Sequence, residues 1–197
     1  MKNTIIHKSA ELFLKYGFKS VTMDDIATEL GMSKKTIYTY FETKTKLVSE
    51  TALHIFYEIE KGINEICMEG FSPIKEIYEI KTNVMRQLYN EQTYPMYQLQ
   101  KYYPKIFELI KAKQFEMLQN CVVTNIKNGI DQGFYRKDLD INFISRLYFN
   151  GILGIKNVEL FPQEQFTSTY LIDSYLDYHL RAITTEKGLK TLIDIQQ

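Results

Sequence analysis

A short run of lysines, hydroxyls and tyrosines is the part of the sequence whose side chains are best suited to bind a ligand. It spans residues 33–40, with the sequence SKKTIYTY, and contains no acidic residue. Lysines donate hydrogen bonds to phosphates and to acceptors in the DNA major groove, and hydroxyls donate or accept there. The run therefore predicts binding to a polyanion, against the simpler alternative of a solvated helical face.

Two helix signals around a tight turn position this run. Thr22 is a typical N-cap, and Asp24 and Asp25 follow in the opening turn, where the positive end of a helix favours carboxylates. Gly31 can adopt the left-handed backbone conformation that ends a helix. The spacing predicts a first short helix from Thr22 to the turn at Gly31.

A second short helix should begin directly after the turn, with Ser33 as its N-cap. Ile37 and Phe41 lie four residues apart and are expected to face inward. The residues expected to point outward are Lys34, Lys35, Thr36, Tyr38 and Thr39, with Tyr40 near the edge. Two short helices joined in this way form a helix-turn-helix unit, which reads DNA with its second helix.

The first fifty residues resemble the TetR family of transcriptional regulators. The matching positions are Ile6, Ala10, Leu12 and Phe13, then Tyr16, Gly17, Phe18, Val21, Thr22, Asp25, Ile26, Ala27, Gly31, Ser33 and Thr36, and finally residues 37–41 with Lys44 and Leu47. The resemblance implies an all-α fold of about nine helices. It implies a three-helix helix-turn-helix DNA-binding domain over residues 1–47 and a larger helical ligand-binding and dimerisation domain over 48–197.

The resemblance also implies a set of DNA contacts. Thr22 would hold a phosphate, and Tyr40 and Lys44 would hold phosphates at and just beyond the end of the recognition helix. The recognition helix itself would use Ser33, Lys34, Lys35, Thr36 and Tyr38. Position 35 is often glycine, alanine or proline in relatives, and position 40 is often histidine. Lys35 would reach guanine acceptors or only add a phosphate contact, and both readings stay open.

The distribution of charge supports a DNA-binding amino-terminal end. The whole chain has 24 basic and 24 acidic residues, so its formal net charge is zero. Residues 1–47 hold eight lysines and five acidic residues, a net charge of +3, which leaves 48–197 with −3. The positive field is therefore concentrated where the phosphate contacts are expected.

Helical periodicity continues through the rest of the chain. The predicted helices cover residues 44–69, 73–92, 94–103, 104–133, 140–160 and 163–185, and the residues from Glu186 form a short helix or fray. No alternating strand pattern competes with them, and the two cysteines, Cys67 and Cys121, are expected to be small core residues rather than redox sensors.

The last two long predicted helices carry more apolar surface than one chain needs to bury, which predicts a homodimer. The candidate dimer residues are Tyr148, Gly151, Ile152 and Ile155 on one helix and Leu171, Tyr175, Tyr178 and His179 on the other. The glycines would let two helix backbones approach closely. The alternative is that these residues form core within one chain.

Aromatic and thioether side chains are concentrated in the middle of the sequence, which predicts a pocket for a small apolar effector. The candidate pocket residues are Tyr78, Met85, Tyr89, Met96, Tyr103, Phe107, Gln114, Met117 and Phe149. Most aromatic stripes at helical spacing are ordinary core, so only part of this set is expected to line a pocket.

An enzyme is not expected, because the three histidines match no metal or catalytic motif and the sequence contains no nucleophile elbow or phosphate-binding glycine loop. No cofactor or metal is expected either. The absence of a signal sequence, of paired cysteine motifs and of a long apolar segment predicts a cytoplasmic protein without membrane contact. The sequence therefore predicts a repressor that binds a near-palindromic double-stranded operator and releases it on binding an effector. The alternative is a DNA-binding factor controlled by a protein partner.

Overall fold

The computed structural model describes residues 1–88, 95–162 and 164–196, and this part of the chain forms ten α-helices. The helices are α1 (Lys2–Tyr16), α2 (Met23–Glu29), α3 (Lys34–Tyr40), α4 (Lys44–Met68), α5 (Pro73–Gln87), α6 (Pro95–Tyr102), α7 (Pro104–Asp131), α8 (Ile141–Gly154), α9 (Ser168–Ile183) and α10 (Glu186–Gln196). The only β-type pairing in the described ranges is one isolated antiparallel bridge between Tyr135 and Thr184. The predicted all-α fold is confirmed.

Most of the predicted helices are found, with differences at their ends. The helix predicted to continue to residue 160 ends at Gly154, because the next amides, of Lys156 and Asn157, bond three residues back and tighten the last turn. The following helix starts at Ser168, where the Thr167 hydroxyl accepts from the amide of Tyr170 at 3.2 Å. The residues from Glu186 form a helix, and Leu192 within it is fully buried.

The chain divides into two compact units. One comprises Met1–Lys61 and Arg86–Gln114, and the other comprises Gly62–Met85 and Phe115–Gln197. The divisions fall inside α4, α5 and α7, so they do not coincide with the boundary at residue 47 that the sequence suggests. That boundary remains a prediction about the extent of the DNA-binding domain.

The first unit is built on an apolar core shared by its first four helices. The fully buried side chains there are Ile5, Phe13, Ile26, Ile37, Phe41, Leu47 and Val48. In α1, Ile5 and Ser9 are buried, while Ile6 and Ala10 are only partly buried. Burial of several large apolar side chains supplies the main stabilisation of this small helical assembly.

The second unit contains a buried hydrogen-bonded chain in its core. The hydroxyl of Tyr135, a fully buried residue, donates to Asn125 Oδ1 at 3.0 Å, and Asn125 Nδ2 donates to Glu76 Oε1 at 2.7 Å and to the Pro73 carbonyl at 2.9 Å. Burial raises the pKa of Glu76, and the Asn125 bond partly opposes that shift. This network fixes α5 against α7.

His179 on α9 makes folding of the chain sensitive to acid. Its ring lies against Tyr148, with 4.9 Å between ring centroids, and burial lowers the pKa of His179 to about 4. The pKa of a histidine in the unfolded chain is near 6.5. Between pH 4 and pH 6.5 the unfolded protein therefore binds a proton at His179 that the folded protein does not bind. Its contribution is fully present above pH 6.5 and is lost as the pH falls towards 4, because only the unfolded state takes up the proton.

We predict that this linkage removes up to about 3 kcal/mol of the free energy of unfolding between pH 7 and pH 4. The measurement is urea unfolding of the wild type and of His179→Phe across that range, compared as a difference between the two proteins. Other groups also make the free energy of unfolding depend on pH: the raised pKa of Glu76 acts in the opposite direction, and burial lowers the pKa of His54. Both proteins share these contributions, so subtracting one pH profile from the other removes them. Parallel pH profiles for the two proteins would contradict the assignment.

Candidate nucleic-acid interface

The start of α2 is fixed by a reciprocal pair of bonds between Thr22 and Asp25. The Thr22 hydroxyl accepts from the Asp25 amide at 3.2 Å, and Asp25 Oδ2 accepts from the Thr22 amide at 2.8 Å. That backbone bond, with a second from the Thr22 hydroxyl at 2.9 Å, lowers the pKa of Asp25. The predicted N-cap is confirmed. The hydroxyl expected to hold a phosphate already donates to this carboxylate.

The turn between the two short helices depends on Gly31. Its φ is +62°, a left-handed conformation that side-chain-bearing residues adopt at a cost. The Gly31 amide donates to the Thr28 carbonyl at 3.1 Å, and the Met32 amide donates to the Ala27 carbonyl at 2.9 Å. Nothing lies within 4 Å of a Cβ placed at Gly31, so there is space for a side chain. Glycine is favoured there because of the left-handed backbone conformation. These bonds end α2 and let α3 begin within three residues.

The recognition helix α3 has the two faces that the sequence predicts. Ile37 within it and Phe41 directly after it are completely buried in the core of the first unit. The exposed residues are Lys34, Lys35, Tyr38, Thr39 and Tyr40, while Thr36 is partly buried. The tyrosines expose 41% of their surface each, which is enough for their hydroxyl ends to reach a bound molecule.

The hydroxyl groups of α3 are already oriented by bonds within the helix. Ser33 Oγ accepts from the Thr36 amide at 3.0 Å and lies 2.8 Å from Thr36 Oγ1. Thr39 donates its hydroxyl hydrogen to the Lys35 carbonyl at 3.0 Å. Because that hydrogen is used, Thr39 offers lone pairs to a ligand, which suits it to accept from base amino groups.

An acidic side chain from α2 lies against this surface, which the sequence analysis missed. Lys34 Nζ is 2.6 Å from Asp24 Oδ2, and this bond raises the pKa of Lys34. The outward residues of α3 include no acid, but helix packing places Asp24 beside them. Lys35 forms no ion pair with any residue that the structure describes, so its ammonium group is more available than that of Lys34 to bind DNA.

A second basic site lies at the start of α4. Lys44 Nζ donates to the Lys19 carbonyl at 3.0 Å. Burial and the neighbouring charge of Lys19 lower the pKa of Lys44. Lys19 was not among the predicted contacts. Its position in the segment before Thr22 is the only sequence signal that could have suggested it. The two lysines form a local positive field suited to a phosphate.

The residues predicted to line an effector pocket are divided between the two units. Met96, Tyr103, Phe107 and Gln114 belong to the first unit, whereas Tyr78, Met85, Met117 and Phe149 belong to the second, and Tyr89 lies outside the described residues. Several have ordinary structural contacts. The Tyr103 hydroxyl donates to the Phe18 carbonyl at 3.5 Å, and the Phe149 ring packs edge-on against Phe115 at 5.1 Å.

A small cavity does exist in the second unit, with a volume of about 20 Å³. Its walls are mostly aliphatic, from α4, α5, α7, α8 and α9, with Glu76, Cys121, Asn125 and His179 as polar members. None of the predicted pocket residues lines it. The sequence criterion favoured aromatic side chains, whereas this cavity forms mainly between isoleucines, with one leucine and one valine, that no local pattern distinguishes from core. It has room for about one water molecule.

The predicted dimer residues separate into buried and accessible groups. Tyr148, Leu171 and His179 expose less than a tenth of their surface and pack within the chain. Gly151 also serves packing within the chain, because a Cβ there would lie 2.2 Å from the Tyr175 hydroxyl oxygen. That hydroxyl donates to the Tyr148 carbonyl at 3.0 Å.

The structure therefore gives Tyr148, Gly151, Leu171, Tyr175 and His179 packing roles within one chain, and their place in a dimer interface stays a prediction. Their contacts hold α8 against α9 in one chain. The predicted residues that stay accessible are Ile152 and Ile155, which are half-buried, and Tyr178, which is 74% exposed. Phe143 and Leu147 on α8 are further exposed apolar residues, and of these two the sequence pattern had placed only Leu147 on the apolar face.

Comparison with known proteins agrees with this geometry. The sequence profile of the bacterial regulatory proteins of the tetR family matches residues 5–51, which include the whole helix-turn-helix. The chain is 23% identical over 190 residues to the HTH-type transcriptional regulator YvaF of Bacillus subtilis, covering 95% of this chain and 97% of that protein. It is 32% identical over 88 residues to the regulator YhgD of the same organism, covering 45% and 42% of the two chains.

A solved structure of a TetR-family regulator from Agrobacterium tumefaciens has the same fold, with a TM-score of 0.73 at 17% identity over 93% of this chain and 97% of that one. The structure of SmeT, described as the repressor of the Stenotrophomonas maltophilia multidrug efflux pump SmeDEF, gives a TM-score of 0.70 at 12% identity over 94% and 91%.

The helix-turn-helix defines a DNA-binding protein of the transcription-regulator class. The amino-terminal residues 5–51 match the TetR family of transcriptional regulators, and the whole chain has the fold of solved TetR-family structures. Within the described ranges, no helix is both long and apolar enough to span a membrane.

The Asp24 carboxylate should weaken DNA binding, since it offsets the charge of Lys34. We predict that Asp24→Asn tightens duplex binding about two- to fivefold, because the exposed pair contributes little to folding and the freed lysine is available to phosphates. Fluorescence anisotropy with a labelled duplex measures the change. The matched control is Glu29→Gln, which alters net charge equally at the other end of α2. Equal effects of both variants would show that only overall charge matters.

Proposed function

We propose that this regulator is a ligand-responsive repressor that binds a near-palindromic operator as a homodimer in the cytoplasm and is released by a small apolar or aromatic effector. The observation that carries the DNA-binding part is α3, whose lysines, tyrosines and Thr39 are exposed while Ile37 and Phe41 anchor it from behind. A rigid helix with such a surface can enter a major groove without further rearrangement.

The contacts fall into two functional groups. One group would contact phosphates and consists of Lys44, Lys19, Tyr40 and Thr22. Such contacts fix the position of the protein on the duplex but do not read its sequence. Lys34, Lys35, Thr36, Tyr38 and Thr39 would face base edges, with Ser33 ordering the start of the helix. Lysine suits the guanine acceptors, and Thr39 suits an amino donor because its own hydrogen is engaged.

A homodimer would supply two recognition helices, and successive major grooves on one face of DNA are about 34–36 Å apart. The accessible apolar residues of α8 and α9, including Phe143, Leu147 and Tyr178, support this proposal, because isolated chains seldom leave such large side chains exposed together. The exposed fraction of Phe143 is 61% and that of Leu147 is 47%.

The effector would act through the second unit. Its apolar cavity of about 20 Å³ is far smaller than a drug-sized ligand, so binding would have to open it. Once the cavity has opened, Glu76 and Asn125 would offer polar groups to the ligand in an otherwise mostly aliphatic site. A ligand that prefers the DNA-released conformation by about 3 kcal/mol would weaken operator binding more than a hundredfold.

Two proteins of the same fold support a repressor with an apolar effector: SmeT is the repressor of a multidrug efflux pump, and KstR2 of Mycobacterium tuberculosis is a ketosteroid transcriptional regulator. The small size of the cavity favours the second candidate, in which a protein partner controls DNA binding. Calorimetry with a panel of hydrophobic compounds separates the two, because saturable binding that also weakens operator affinity requires the effector mechanism.

The division of contacts predicts two kinds of variant. Lys44→Ala should weaken binding to all duplexes alike and reduce the slope of log K against log salt by about one, because a phosphate contact releases about one counterion. Thr36→Ala should instead change the preferred sequence, by about 1–3 kcal/mol at one base pair if it touches a base edge. In vitro selection and salt titrations measure both. An unchanged salt slope in Lys44→Ala would refute its phosphate contact.

The dimer proposal predicts that Tyr178→Glu shifts the protein towards monomer, since a carboxylate would have to be buried without a partner. Sedimentation velocity at several protein concentrations measures the shift, and half-site binding should survive. Met68→Glu is the matched control, because Met68 is 78% exposed at the end of α4 and receives the same charge. A monomeric wild type, or an unaltered dimer in Tyr178→Glu, would count against the proposed surface.

A further inference from the structure

The two cysteines of the chain lie side by side although 54 residues separate them in sequence. Cys67 Sγ and Cys121 Sγ are 3.6 Å apart, and both thiols are free. Cys67 is the penultimate residue of α4, and Cys121 lies in the middle of α7, within the same compact unit. The sequence predicted two unrelated core thiols, and the structure instead shows a dithiol.

The two sulfur atoms have different surroundings, which assigns them different chemical roles. Cys67 is exposed, whereas Cys121 is half-buried and lines the small cavity beside Glu76. The hydrogen bond from Cys121 lowers the pKa of Cys67, and the same bond together with burial raises the pKa of Cys121. Cys67 is therefore the thiol that ionises first and that a dissolved oxidant can reach.

We propose that Cys67 and Cys121 are a redox modification site, which hydrogen peroxide or a related small peroxide converts to an intrachain disulfide that regulates DNA binding. The inference rests on three structural facts: the short distance between the sulfur atoms, the exposure of one of them, and the placement of the other as a partner inside the unit. In its regulatory part it also deepens the proposed function.

The reaction balances in two steps. The Cys67 thiolate attacks one peroxide oxygen, the O–O bond breaks, and Cys67 becomes a sulfenic acid while hydroxide leaves. Cys121 sulfur then attacks Cys67 sulfur, the S–S bond forms and the S–O bond breaks. The departing hydroxide and the Cys121 proton leave as water. Both thiols are oxidised by one electron each, and the peroxide is reduced to two waters.

A disulfide requires the sulfur atoms to close from 3.6 Å to about 2.0 Å, so a small local movement must accompany oxidation. Cys67 lies in the last turn of α4, where carbonyls lack helical partners and opening is easiest. The helix carboxyl end also disfavours a thiolate, so we expect oxidation to be slower than at catalytic cysteines.

The disulfide would act on α4, a helix that contains residues of both compact units. The same helix α4 begins at Lys44, beside the recognition helix, and its first turns bury Leu47 and Val48 in the core of the first unit. Tying its last turn to α7 restricts a helix whose residues belong to both units, so a change at its carboxyl end can be transmitted along it to its first turn. Oxidation should therefore change duplex affinity.

The chemical test uses the full chain treated with excess hydrogen peroxide, with catalase added to stop the reaction. We expect loss of both free thiols, a monomeric band without reductant, a linked Cys67–Cys121 peptide by mass spectrometry, and full reversal by dithiothreitol. Cys67→Ser and Cys121→Ser should each form no intrachain link while keeping the wild-type helical content. Disulfides between chains, or Cys67 accumulating as sulfinic acid in the wild type, would overturn the proposal.

The regulatory test uses a duplex selected in vitro with the reduced protein. Its Kd should differ at least about threefold between the reduced and oxidised wild type, and it should not respond to peroxide in Cys67→Ser. An unchanged Kd in protein shown to carry the linked peptide would overturn the regulatory part alone. Failure of the reduced protein to select any duplex would instead contradict the proposed function, and the peptide result would still decide the disulfide.

Discussion

The burial of Ile37 and Phe41 is the constraint on which the rest of the DNA-reading surface depends. A helix of seven residues is too short to be stable by itself, so α3 exists because these two side chains are held in an apolar core. Anchoring one face also fixes which side chains project from the other. The lysines and hydroxyls of α3 are directed outward as a consequence of packing, and the Gly31 turn sets where that outward face begins.

The core of the second unit differs from that of the first, because buried polar groups lie among its aliphatic side chains. The bonds from Tyr135 through Asn125 to Glu76 are satisfied, while His179 lies between tyrosine rings as a neutral base. Groups of this kind respond to protons, oxidants and small molecules more readily than a wholly apolar core. The proximity of the cavity, the buried carboxyl and the dithiol makes this unit the natural place for regulation.

The sequence predicted those features that depend on neighbours along the chain. The caps at Thr22 and Ser33, the turn at Gly31 and the inward pair on α3 are local patterns, and all of them are observed. It could not predict contacts set by packing between distant segments. The Lys34–Asp24 ion pair, the Lys44–Lys19 bond, the cavity and the cysteine pair all arise in this way. The same limit applies to the dimer prediction, because an apolar helix face looks alike whether a neighbour in the same chain or a second copy covers it.

The most direct test of the account is hydrogen–deuterium exchange of the protein with and without an in vitro selected duplex. The account predicts that protection on binding is concentrated in residues 33–44, because these hold the recognition helix and the adjoining phosphate contact. Protection confined to other segments, with exchange in α3 unchanged at saturating duplex, would show that this helix does not read DNA.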